Sequence, residues 1–303
     1  ALILLSGTGL ATIMTFVWFS APDLALTQLT VEVVTTILLL LGLRWLPKRQ
    51  PMANQQLISA GVWLRRGRDL LLAVAVGVGM AALSFALMTH QKVLPSISGF
   101  FLERALPEGG GSNVVNVMLV DFRGFDTMGE IIVLGIVALT VYALLRRFRP
   151  PLESMEAPRQ QHNTQADLQG IPPHAATADD TAVGYLTVPA VLVRLLLPIM
   201  ALAAAYLFLR GHNAPGGGFV AGLVLSIGLL AQYMVAGTHW VEARFALDVR
   251  RWIAIGMLAA ALTGLGSLLW GYPFMTTHSV HLALPLVGEI HLPSATFLDV
   301  GVF

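Results

Sequence analysis

LALTQLTVEVVTTILLLLGLRWL, from Leu24 to Leu46, decides how this chain reads. As a helix it extends roughly 34 Å, enough to cross a bilayer. Leu, Val, Ile, Thr and Ala make up almost all of it, and one carboxylate, Glu32, interrupts it. Glu32 stands about 12 Å in from the Leu24 end. A carboxylate at that depth is costly unless it is protonated, paired or wetted, so its presence points to passage of a proton or an ion. Gln28, Thr35 and Thr36 fall on the same helical face, giving a polar stripe that expects a neighbouring helix or a water file. The bland alternative is a buried acid, kept neutral and hydrogen-bonded to Gln28 or Thr36.

The composition agrees with a membrane solvent. Hydrophobic residues make up 56% of the 303-residue chain, charged residues 12%, and the mean hydropathy is +0.74. A soluble domain carries about twice that charged fraction. Apolar runs recur at Leu2–Phe19, Leu24–Leu46, Leu70–Thr89, Met128–Leu145, Pro189–Leu209, Phe219–Ala236 and Trp252–Trp270, and a last one starts near Ala295. The fold class expected is all-α: a polytopic helical membrane protein of about eight transmembrane helices in two groups of four. No alternating pattern of the outer-membrane barrel type stands out. The chain opens and closes in apolar sequence and reads as a fragment of a longer polypeptide.

Basic residues set the orientation. With the loop after Leu46 placed inside, fourteen of the 18 Lys and Arg fall on the cytoplasmic side. Only Lys92, Arg104, Arg123 and Arg210 fall outside. Residues 150–187 are polar and proline-containing, the composition of a flexible linker. They separate a membrane region at 1–149 from another at 188–303. The net charge of +1 gives no reason to expect nucleic acid. Zero cysteines exclude disulfides and thiolate metal sites within the chain.

Three segments carry polar chemistry. Pro22-Asp23 starts the Glu32 helix, with Asp23 suited to the positive helix end. Asp23 and Glu32 are two and a half turns apart and face opposite ways. GGGSNVVNVMLVDFRGFDTMGE gathers Asp121, Arg123, Asp126 and Glu130 near the outer end of a span. Asp126 and Glu130 share a face, and Arg123 reaches Asp126. This is either a charged entrance or an interfacial ion-pair cluster. In RGHNAPGGGFVAG, the run Gly216, Gly217, Gly218 after Pro215 breaks the helix and exposes backbone amides beside His212 and Phe219. His212 can exchange protons near neutral pH, or simply be a polar loop residue. His278, His281 and His291 match no zinc pattern, so no metal is expected. No nucleophile–base arrangement appears, which argues against an enzyme.

APDLALTQLTVEVVTTILLLL (Ala21–Leu41) and NVVNVMLVDFRGFDTMGE (Asn113–Glu130) resemble the C-terminal part of MrpA, the large component of Mrp-type multisubunit Na+/H+ antiporters. RLLLPIMALAAAYLFLRGHNAPGGGFVAGLV (Arg194–Val224) resembles MrpB. The order is similar to the fused MrpA–MrpB arrangement. This resemblance implies a secondary antiporter subunit of the bacterial inner membrane, exchanging Na+ or K+ for H+ without a cofactor. It implies MrpC, MrpD, MrpE, MrpF and MrpG as partners. It makes Glu32 part of the ion route and ties Pro215 and Phe219 to activity. A complex I-like or hydrogenase-type membrane arm, or a passive scaffold, is the alternative.

Overall fold

A computed structural model describes residues 2–43, 60–90, 95–149, 187–245, 248–284 and 288–303. The expected linker at 150–187 lies, apart from Thr187, outside the described residues. Contacts divide the chain into two units, Ala1–Pro47 with Phe100–Phe303, and Lys48–Gly99. The second unit is essentially one helix, α3 (Ala60–Thr89), whose spanning stretch buries nothing by itself.

In the larger unit, α1 (Leu2–Trp18) and α2 (Pro22–Leu43) form an antiparallel pair. Ser20 takes a left-handed conformation at φ 55°, and the Ala21 amide donates back to the Phe16 carbonyl at 2.9 Å. Pro22 then opens α2 without losing a bond the helix needs. α4 (Ser98–Arg104) and α5 (Val114–Val117) lead into a π-helical turn, Met118–Phe122, and then α6 (Gly124–Leu145). The π turn leaves backbone groups out of register, and Thr127 Oγ1 donates to the Leu119 carbonyl at 2.7 Å.

α7 (Thr187–Arg210) and α8 (Gly218–Ala236) form the tightest helix pair, followed by α9 (Thr238–Phe245) and α10 (Val249–Leu269). A hairpin of β1 (Ser279–Leu284) and β2 (Gly288–Pro293) precedes α11 (Ala295–Val302). Its antiparallel register sets His281 opposite His291. This hairpin is an addition to the helical reading. Its strands are six residues each, too short to stand out from a loop.

Small residues let the helices close. A β-carbon on Gly256 of α10 would stand 2.8 Å from the Gly301 carbonyl of α11. One on Gly135 of α6 would stand 2.6 Å from Met257 Sδ of α10. Ala204, Val220, Ala221 and Val224 form a buried core between α7 and α8, with Leu26 of α2 packed against it. α8 therefore sits between the first and last parts of the chain.

Among the described residues, six helices are long and apolar enough to span a bilayer: α2, α3, α6, α7, α8 and α10. α1 is shorter at 17 residues, and α11 has eight. The chain is a multi-pass helical membrane protein. Of the seven full spans expected, α1 is the one that falls short on length.

Candidate functional site

The glycine break is the hub. Gly217 takes φ 105°, a conformation an L side chain resists, and caps the start of α8. Its β-carbon would also stand 2.8 Å from Asn116 Oδ1. A β-carbon on Gly216 would overlap the Leu207 carbonyl, and one on Gly218 the Asp299 carbonyl. The three glycines are thus what lets α7, α8, α11 and Asn116 meet.

The amides this break frees are taken by acids from distant elements. Asp23 Oδ1 accepts from the Gly216 amide at 3.2 Å, and Asp299 Oδ1 from the Gly218 amide at 3.2 Å. Both acids stand where the helix dipole favours negative charge. Asn113 ties the arrangement together. Its Nδ2 donates toward Asp23 Oδ1 at 3.1 Å, the Gly211 carbonyl at 3.0 Å and the Ala214 carbonyl at 3.1 Å. Its own amide donates to the His212 carbonyl at 3.1 Å.

A cleft of about 780 Å³ opens beside this hub. Asp23, Asn116, Asp126, Glu130 and Asp299 line it, with Gly216–Gly218 and Phe219. Asp126 and Glu130 share a face as their spacing requires, and Arg123 pairs with Asp126. The cleft lies at the end of the helices that the basic residues assign to the outside.

Asp121 does not line the cleft, contrary to its grouping with Asp126 and Glu130. The π turn rotates it away, under Gly109, whose β-carbon would stand 2.9 Å from Asp121 Oδ2. Burial pushes its carboxyl up to about 6; the nearby His212 opposes the rise and Glu108 adds to it. His212 Nε2 lies 2.9 Å from the Gly109 carbonyl. A carbonyl only accepts, so Nε2 carries the hydrogen.

Glu32 lies apart from this hub and faces α1. Its carboxylate occupies the space above Gly9, where any β-carbon would overlap it. Glu32 Oε1 is buried and accepts no hydrogen bond from any described group. Thr36 faces the same way, its hydroxyl 3.2 Å from Ser6 Oγ. Gln28 is half-buried and makes no bond to Glu32 among the described residues. Thr35 is exposed, so the expected polar stripe narrows to Glu32 and Thr36 on the α1 side.

Three family descriptions match in succession. The MBH family MbhD covers residues 1–48, the MBH family MbhE covers 64–162, and the "Domain related to MnhB subunit of Na+/H+ antiporter" covers 188–303. The A/B subunit of a probable K(+)/H(+) antiporter from Rhizobium meliloti (strain 1021) is 56% identical over 306 residues, covering all of this chain and 30% of that protein. The A subunit of the Na(+)/H(+) antiporter of Bacillus subtilis (strain 168) is 41% identical over 48% of this chain and 17% of that protein. In the structure of the Mrp complex from Dietzia sp. DQ12-45-1b, one chain superposes over all of this chain and 30% of itself. That match has a TM-score of 0.74 and 30% identity.

Over its whole length the chain is similar to Mrp-type antiporter A/B subunits. It spans under a third of the length of the curated relatives it matches. A chain of the archaeal membrane-bound sulfane sulfur reductase shares the fold, with TM-score 0.50 and 22% identity. The family boundaries give the hub its meaning. Asp23 lies in the first matched region, Asn113 in the second, and Gly216 and Asp299 in the third. The Mrp-type hub is therefore where all three regions interlock. Sequence reading singled out the glycine break, Asp23, Asp126 and Glu130 but missed Asn113 and Asn116. The signal for them was two asparagines three residues apart in an otherwise apolar NVVNV.

Proposed function

We propose that this chain is part of a subunit of a monovalent cation/proton antiporter, and that Glu32 accepts the transported charge. The observation that carries this is the Glu32 carboxylate seated on Gly9 within a membrane span, with one oxygen left without a described partner. A buried oxygen of that kind awaits a proton, a water or a cation. The acid-lined cleft with Asp126 and Glu130 serves as the outer entrance. Asp121 takes up a proton beside it. Pro215, Gly216–Gly218 and Phe219 fix the bend that joins the regions.

The reading extends to the whole assembly. Two membrane regions, 1–149 and 188–303, are joined by a cytoplasmic linker at 150–187. MrpC, MrpD, MrpE, MrpF and MrpG are the partners, Na+ or K+ and H+ the transported ions, and a bacterial inner membrane the location. The protein is a secondary transporter subunit, not an enzyme, and requires no cofactor.

Glu32→Gln tests it, because it keeps size and hydrogen bonding but removes titration. Cation-dependent collapse of the pH gradient in everted vesicles should be lost while the complex assembles normally. Normal exchange would leave only the scaffold role. The MBH-type regions favour a second reading, an oxidoreductase membrane arm. Hydrogenase or quinone-site proteins co-purifying with the chain would establish that instead.

A further inference from the structure

The opposite end of the bundle carries a charged feature that the transport reading does not use. Trp240 of α9 is buried, and two guanidinium groups lie against its ring. Arg194 Cζ of α7 lies 4.7 Å from the ring centroid and Arg244 Cζ lies 5.6 Å from it. Both arginines are exposed while the indole they share is not. Neither makes an ion pair among the described residues. The contrast with their neighbours is direct, since Arg250 and Arg251 both pair with Asp248. Glu242, the acid on α9, pairs with neither arginine among the described residues.

The scaffold under this pair is fixed. Gln232 of α8 is buried and donates from Nε2 to the Val193 carbonyl at 2.6 Å, one residue before Arg194. Val241 is fully buried, with Tyr233 and Phe245 packed around it. Arg194 sits in the first turn of the apolar stretch Val191–Arg210, the depth of the lipid headgroups. The positive-inside sorting places both arginines at the cytoplasmic leaflet, whose surface is negative.

We propose that Arg194, Trp240 and Arg244 form a binding site for the phosphate of an anionic phospholipid in the inner leaflet. Two guanidiniums held on one rigid indole present forked donors to a phosphate with little ordering cost. The buried indole anchors both guanidiniums at the level of the headgroups. Basic pockets between helices on the cytoplasmic side are the usual form of such sites. The inference rests on the membrane orientation and not on the transport role of Glu32.

The test is native mass spectrometry of the intact antiporter complex, titrated with phosphatidylglycerol or phosphatidylcholine. The wild type should retain phosphatidylglycerol selectively, and about 10 mM inorganic phosphate should not displace it, which separates a lipid site from a free-anion site. Affinity should fall about fivefold for each of R194Q and R244Q. R244K, which keeps the charge but loses the fork and its stacking on the indole, should retain an affinity between those of the wild type and R244Q. Equal retention by wild type and R244Q would overturn the proposal. So would unchanged lipid with loss of a partner protein, which would assign the arginines to an acidic protein surface. R244Q lies on an exposed face, so it tests the site even if R194Q fails to assemble.

Discussion

Asp23 accepts a hydrogen bond from the Gly216 amide at 3.2 Å, across 193 residues of chain. An acid at the start of one helix therefore caps the glycine break before another, and Asn113 donates toward the same oxygen. Removing Asn113 exposes the whole hub. Asn113→Ala leaves the Gly211 and Ala214 carbonyls and part of Asp23 without a donor in a buried setting. The expected cost is about 2–4 kcal/mol. Thermal unfolding of the purified complex should show a clear drop in midpoint, and Asn113→Asp should do worse by adding charge beside Asp23. An unchanged midpoint for both would show that the hub is not held by this side chain.

Gly217 and Gly129 should respond in opposite directions to the same substitution. Gly217→Ala forces a β-carbon onto φ 105° and against Asn116, at a cost of about 1–3 kcal/mol. Gly129 lies within α6 with nothing inside 4 Å of a β-carbon. Gly129→Ala should be neutral or stabilise by about 0.5–1 kcal/mol. Assembly levels and thermal midpoints of the two variants, measured side by side, check the pair.

Asp121 makes stability depend on pH in a stated direction. Its carboxyl is raised from 3.8 to about 6, so the folded state binds more protons than the unfolded one between those values. Stability is therefore fullest below about pH 4 and declines as pH rises toward 6. Above that the penalty for the buried charge is constant. Asp121→Asn should flatten this part of the profile and raise the midpoint at about pH 7 relative to wild type. A wild-type-like slope in the variant would place the titration elsewhere.

Much of the architecture was legible because membrane spans are long and uniform. The apolar runs located α2, α6, α7, α8 and α10, since every backbone bond in a span is satisfied locally and composition alone reports it. Asp126 and Glu130 were legible as one face for the same reason: their relation is local to one helix. What the sequence withheld is non-local. Asp23 read as a helix-end acid, and nothing in its neighbourhood or in that of Asp299 tells that both cap the break before α8. The π turn at Met118–Phe122 has no compositional mark, so Asp121 was grouped with the acids it turns away from. The hairpin at Ser279–Pro293 escaped because two six-residue strands carry little periodic signal.

Gly9 and Glu32 should behave as a coupled pair. Gly9→Ala alone drives a methyl into the Glu32 carboxylate and should cost about 1–3 kcal/mol through separation of α1 and α2. Combined with Glu32→Ala, which vacates that space, the same substitution should cost little. A double-mutant cycle on complex assembly would report this as strong non-additivity. Additive effects would mean that the carboxylate does not rest on Gly9.

The most direct test of the central claim asks whether Glu32 takes up a proton and yields it to a cation inside the assembled complex. Carbodiimides modify protonated carboxyls in apolar surroundings, and peptide mass spectrometry locates the adduct. Glu32 should be labelled at low pH, and Na+ or K+ should slow the labelling in a concentration-dependent way. Labelling that no cation affects, or a Glu32 that never reacts while exchange remains active, would contradict the account.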